Sequence, residues 1–134
     1  MFSARADLTL EGAAELTIPF NYAPDTSRSI IEEDWAVRFP LASTMTGYVN
    51  QLVGASAWSG LERLPQLTVP TLVVHGELDR LVLPANGRMV AAAIPGAELA
   101  IVPGANHLLM SDRPAEVVDL LLAWIGRNAG DGAG

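Results

Sequence analysis

Between residues 71 and 125 the sequence twice pairs a short apolar run with a longer amphipathic stretch, and proline or glycine marks the junctions. Residues 71–75 (TLVVH) enter from Pro70 and leave through Gly76, which predicts a strand buried on both faces. Pro84 opens a helix running to about Ala93, with Met89, Val90, Ala93 and Ile94 inward, and Pro95-Gly96 ends it. Residues 98–102 form the next strand, closed by Pro103-Gly104. The last helix is expected to begin with Ser111 and Asp112 as caps, Pro114 in its first turn, and Val117, Val118, Leu121, Leu122, Trp124 and Ile125 along its length. It should end at Gly126. Strand, helix, strand, helix at this spacing is a parallel β-α-β-α unit with a right-handed crossover. Two strands are too few to make a sheet alone, so this unit calls for further strands beside it.

The preceding residues read differently. Three stretches carry helical patterns: residues 8–20, residues 29–39 with Ile31, Trp35 and Arg38 on one spacing, and residues 41–56. The third is clearest, with Leu41, Met45, Tyr48, Val49, Leu52 and Val53 in an apolar stripe. The expected organisation is a helical segment over residues 1–64, the β-α-β-α part over 65–127 and a flexible Gly/Ala tail over 128–134.

Composition narrows the chemistry. The chain has 134 residues, half of them hydrophobic, enough for one domain with one core. A net charge of −7 and eight scattered arginines argue against a nucleic-acid partner, which needs clustered positive charge. Lysine is absent, which removes Schiff-base chemistry and the lysine of phosphate-binding loops; cysteine is absent, which removes thiol nucleophiles, disulfides and thiolate metal sites. No apolar run approaches the roughly 20 residues of a membrane span, and no secretory leader pattern opens the sequence. The expectation is a cytoplasmic protein with neither membrane nor nucleic acid as partner.

Two polar side chains stand where chemistry is done. In open α/β sheets, functional groups sit in the loops beyond the carboxyl ends of the strands. Asp79 follows the first strand in HGELDRLVLP and His107 follows the second in PGANHLL, so both should project from one edge of adjacent strands. A carboxylate so placed accepts from imidazole Nδ1, fixes the tautomer and leaves Nε2 as a general base. Plainer roles exist for each. Asp79 could simply form a turn or pair with Arg80, Glu77 is a rival acid nearer the strand end, and His107 could be an ordinary loop histidine. His75 reads as structural, ending its strand with the ring against neighbouring loops, and two histidines without a carboxylate cluster argue against a metal site.

From about Leu61 onward the sequence resembles the C-terminal part of the α/β-hydrolase superfamily, in which one strand leads into G-x-x-D-x-x-x-P and the next into a G-x-x-H turn. Gly76, Asp79 and Pro84 match the first, with one extra residue before the proline, and Gly104 and His107 match the second. Residues 29–58 are similar to the helical lid these enzymes insert before their last two strands. The resemblance implies a partial α/β-hydrolase fold, with Asp79 as the acid and His107 as the base of a Ser-His-Asp arrangement, and it implies no cofactor. It covers only the latter half of a complete member.

No serine completes the set. The nearest string, Gly54-Ala55-Ser56-Ala57-Trp58, follows a helix and puts Trp where the nucleophile elbow needs a small residue, while Ser43, Ser59 and Ser111 lack both glycines and strand. Trp35, Phe39, Tyr48 and Trp58 could wall a pocket for an acyl substrate, although aromatics on amphipathic helices mostly serve as core. The expected function is therefore that of a C-terminal fragment or subunit of a hydrolase for carboxylic esters, lactones or similar acyl compounds, inactive alone, its small-molecule substrate bound once an N-terminal half completes it. The alternative is a non-catalytic module of the same origin that pairs with itself or docks to a partner.

Overall fold

The computed structural model describes residues 10–41 and 44–128. Residues 8 and 9 of the first expected helix, Ser43 and the tail beyond residue 128 lie outside the described residues. Among the described residues, six helices and two strands follow in the order α1 (Leu10–Asn21), α2 (Arg28–Arg38), α3 (Met45–Ala57), β1 (Leu72–Gly76), α4 (Pro84–Ala93), β2 (Glu98–Val102), α5 (Leu109–Asp112) and α6 (Pro114–Asn128). Short 3₁₀ turns at Phe39–Leu41 and Leu61–Gln66 join the helical part to the rest.

Local chemistry sets most of these boundaries. Ser27 Oγ accepts from Ile30 N and Thr44 Oγ1 from Gly47 N, so α2 and α3 each begin on a side-chain cap that satisfies an orphan donor. Pro84 occupies the first turn of α4, where its missing N–H costs nothing. Gly96 and Gly104 take positive φ in the turns before and after β2, a conformation that penalises a side chain.

The strands pair in parallel, from Leu72 opposite Glu98 to Gly76 opposite Val102. Alternation along them divides the two faces. Val74 and Val102 turn toward α6, where Val102, Ala105 and Val117 form a small core with Val74, Leu109 and Leu121 packed around it. His75 turns the other way, under Gly87 of α4. The sheet thus lies between α4 and α6, the layering of an α/β fold. Most strand side chains are only half-buried, as two strands between two helices allow.

Three expectations change. Ser111 and Asp112 belong to α5, a separate helical turn, and cap nothing; the Asp112 carboxylate is buried and bonds to the segment between α1 and α2. Met89 in α4, expected inward, is exposed, and α6, which exposes Val118, Leu122 and Ile125 beside its single buried stripe, continues past Gly126 to Asn128. The stripe on α3 is bare: Tyr48, Val49, Leu52 and Val53 all face solvent, and no other described element packs closely against them. None of the described helices is long and apolar enough to cross a membrane.

Candidate active site

Parallel pairing brings the loops after β1 and β2 side by side. Leu78 N bonds Ala105 O and Glu77 N bonds Val102 O, zipping the two loops together just beyond the sheet. At that edge His107 Nδ1 lies 3.0 Å from Asp79 Oδ2. The Asp79 carboxylate is 5% exposed, and its other oxygen accepts from Leu81 N and Val82 N, both at 2.9 Å. Burial pushes this carboxyl up, but the bonds from Val82, His107 and Leu81 together outweigh it and hold it below its ordinary 3.8. An ionised carboxylate only accepts, so His107 Nδ1 carries the proton and Nε2 presents its lone pair. With a third of its side chain exposed, His107 can hand that lone pair to a reacting hydroxyl or water.

Because the folded pKa of Asp79 is depressed, its contribution to stability is full above the unfolded value near 3.8 and vanishes as pH falls through the lower folded value. Melting temperature should therefore drop more steeply below pH 3.8 in the native protein than in Asp79→Asn. Thermal melts at several pH values in that range read this directly. Equal slopes would show that the bonds around Asp79 add no stability.

The other candidates fall into place around this pair. Glu77 is exposed and its carboxylate accepts from Gly104 N at 2.9 Å, bracing the turn after β2. His75 Nε2 is 2.7 Å from Val82 O and 3.4 Å from Asp79 Oδ2, so this ring closes the loop that carries the aspartate. Ser56 Oγ donates back to Leu52 O within α3, and Ser111 Oγ donates to Asp34. A cavity of about 700 Å³ borders Asp79, walled by Ile18, Pro19, Tyr22, Ile31, Leu83 and Asn106 among others. None of the four aromatics expected to wall a pocket lines this one: Trp35 and Phe39 stack on each other and line a separate recess of about 390 Å³ with Glu15, Arg28 and Glu32, and Tyr48 and Trp58 face solvent. Tyr22 is the aromatic that does. Burial, followed by the charge of Asp34, pushes its phenol up to about 12, so it stays protonated and donates to Asp34.

Sequence reasoning missed Asn106 and Asp112. Both are buried polar side chains whose partners lie in the segment joining α1 to α2, more than 80 residues away in the chain. Those distant partners leave no periodic pattern in the sequence. The one available signal was the composition of the turn itself, an asparagine directly before the histidine and an aspartate five residues after it.

Comparison with known proteins agrees with this architecture. Residues 2–120 match the model of the alpha/beta hydrolase family. The epoxide hydrolase EphH of Mycobacterium tuberculosis is 29% identical over 111 residues, covering 81% of this chain and 50% of that one. A thermophilic esterase from Thermogutta terrifontis superposes with a TM-score of 0.71 at 26% identity, over 90% of this chain and 46% of the esterase. Est816, an N-acyl homoserine lactone degrading enzyme, gives 0.65 at 29% identity, over 84% of this chain and 46% of the enzyme. The chain thus spans about half the length of each. With a parallel pair of strands, a carboxylate and an imidazole at their common edge and a family match over nearly its whole length, the chain belongs to the α/β-hydrolase family and corresponds to the C-terminal part of that fold.

Proposed function

We propose that this chain supplies the acid, Asp79, and the base, His107, of a hydrolase acting on carboxylic esters, lactones or similar acyl compounds. In this reading residues 1–64 act as the lid and residues 65–127 as the end of the core. The nucleophile comes from a preceding half of the fold, in the same polypeptide or in a partner subunit. The observation that carries the reading is the 3.0 Å bond between His107 Nδ1 and Asp79 Oδ2 at the shared ends of two parallel strands. The likeness to an esterase and to a lactone-degrading enzyme supports acyl substrates, and the likeness to an epoxide hydrolase makes epoxide opening the chemistry to test beside them.

The residues divide the work simply. A serine hydroxyl attacks the acyl carbon while His107 Nε2 takes its proton, and the imidazolium then protonates the departing alcohol. Water enters next, His107 removes a proton from it, and the returning proton frees the serine and releases the acid. Asp79 stays ionised and stabilises the imidazolium in both steps.

The test is complementation. The chain alone should show no turnover of p-nitrophenyl acetate that depends on His107, and fusion to the nucleophile-bearing half of a related esterase should create such turnover. A fusion that folds yet gains no activity would sink the proposal. The second reading, a non-catalytic module that pairs with itself, is favoured by the bare face of α3. Self-association in sedimentation that persists in the folded, inactive fusion is the outcome that would select it.

A further inference from the structure

His107 is held less by its own contacts than by its neighbours in sequence. Asn106 is 2% exposed, and its carboxamide uses its whole bonding capacity. Oδ1 accepts from His107 N at 2.9 Å and from Arg80 N at 3.4 Å, while Nδ2 donates to Tyr22 O at 2.8 Å and Pro19 O at 3.2 Å. Only this orientation works, because the reversed amide would set its nitrogen against two N–H groups and its oxygen against two carbonyls. Its backbone makes a further tie. Asn106 N donates to Asp112 Oδ2 at 2.7 Å, and Asp112 Oδ1 accepts from Ala23 N at 2.9 Å and Thr26 Oγ1 at 2.5 Å. On the far side of the histidine, Leu108 N donates to Asn21 O at 2.8 Å. The residues on both sides of His107 are therefore bonded to the segment that ends α1 and leads into α2.

That segment is also a wall of the cavity beside Asp79, through Pro19, Tyr22, Ala23 and Thr26. The cavity is therefore bounded by residues that hold His107 in place. We propose that Asn106 is a positioning residue whose carboxamide clamps the Pro19 to Thr26 segment to the His107 turn, so that His107 keeps its bond to Asp79 only while that segment is seated. This deepens the functional reading and rests on it, since the position of His107 matters only if the imidazole acts.

The experiment reads the imidazole and not turnover. Nitrogen-15 NMR of the full chain follows the proton on His107 Nδ1, and amide exchange follows Ala23, whose N–H bonds Asp112. Asn106→Asp is nearly isosteric and keeps the acceptor toward His107 N, but it loses both donors and sets a carboxylate against the carbonyls of Pro19 and Tyr22. The expected result is faster Ala23 exchange together with a His107 Nδ1 proton that exchanges about tenfold faster. Faster Ala23 exchange with an unchanged His107 proton would overturn the clamp. If Asn106→Asp does not fold, Thr26→Val decides: it removes one donor to Asp112 from the distant side, and about a threefold faster Nδ1 exchange is expected, while no change overturns the proposal. A native chain with no Nδ1 proton sensitive to Asp79→Asn would instead defeat the functional reading, and the proposal with it.

Discussion

Replacing His107 by Ala in the completed enzyme should lower kcat by about 10⁶, because without the imidazole no group takes the nucleophile's proton or returns it to the leaving group. Asp79→Asn should cost less, about 10⁴, and the geometry says why. Oδ1 of residue 79 receives two backbone N–H groups, from Leu81 and Val82. An asparagine there must keep its carbonyl oxygen on those donors, which turns its NH₂ toward His107 Nδ1. That nitrogen must then accept, the ring proton moves to Nε2, and the lone pair that serves as base is lost. Glu77→Gln is the control. Its carboxylate bonds Gly104 N at the surface, so its loss should change kcat by less than about tenfold. Steady-state kinetics on the three variants check all of this. A Glu77 effect larger than that of Asp79 would reverse the assignment of the acid.

Much of this site is legible in the sequence because its geometry is local. Pro84, Pro95-Gly96 and Pro103-Gly104 mark where α4 and β2 start and stop, and both elements have the expected bounds. Once two parallel strands are placed, Asp79 and His107 must meet at one edge. The clamp around His107 was hidden for the opposite reason: Asn106 and Asp112 gain their partners only when the segment after α1 folds back across the turn, and a serine and aspartate before Pro114 read equally well as a helix cap. The α3 stripe marks a different boundary of inference. Periodicity says that a helix has an apolar face, but not whether a layer is present to cover it, and here Tyr48, Val49, Leu52 and Val53 remain bare. Nor does periodicity say which cavity an aromatic lines: Trp35 and Phe39 line a separate recess, and Tyr22, in a turn-rich segment with no helical spacing to flag it, faces the cavity beside Asp79.

Gly76→Ala should be the most damaging single change to the fold. Gly76 closes β1 opposite Val102, and a Cβ there would stand 2.2 Å from Asn106 O and 2.7 Å from Ala105 O. Both are backbone atoms and neither can rotate away. Relief requires the end of β1 to separate from the 105–106 turn, which stretches the Leu78 N to Ala105 O bond and shifts Asn106, the residue that holds His107. Overpacking typically costs about 1 to 3 kcal/mol, and an obstacle made of fixed backbone puts this change at roughly 3 kcal/mol or more. Against a total stability of about 5 to 15 kcal/mol, that is a large fraction. Gly87→Ala supplies the contrast. Its Cβ would meet the His75 ring at 2.9 Å and the His75 Cβ at 3.2 Å, so the ring must swing aside at the cost of its bond to Val82 O and α4 must give slightly. The loss should be about 1 kcal/mol, the net worth of one such hydrogen bond. Thermal melts should therefore place Gly76→Ala roughly 10 °C below the native protein and Gly87→Ala only a few degrees below it. Equal melting points for the two variants would mean that the β1 end yields as easily as a side chain, and the tight seam between the Asp79 and His107 loops would not be what holds the site together.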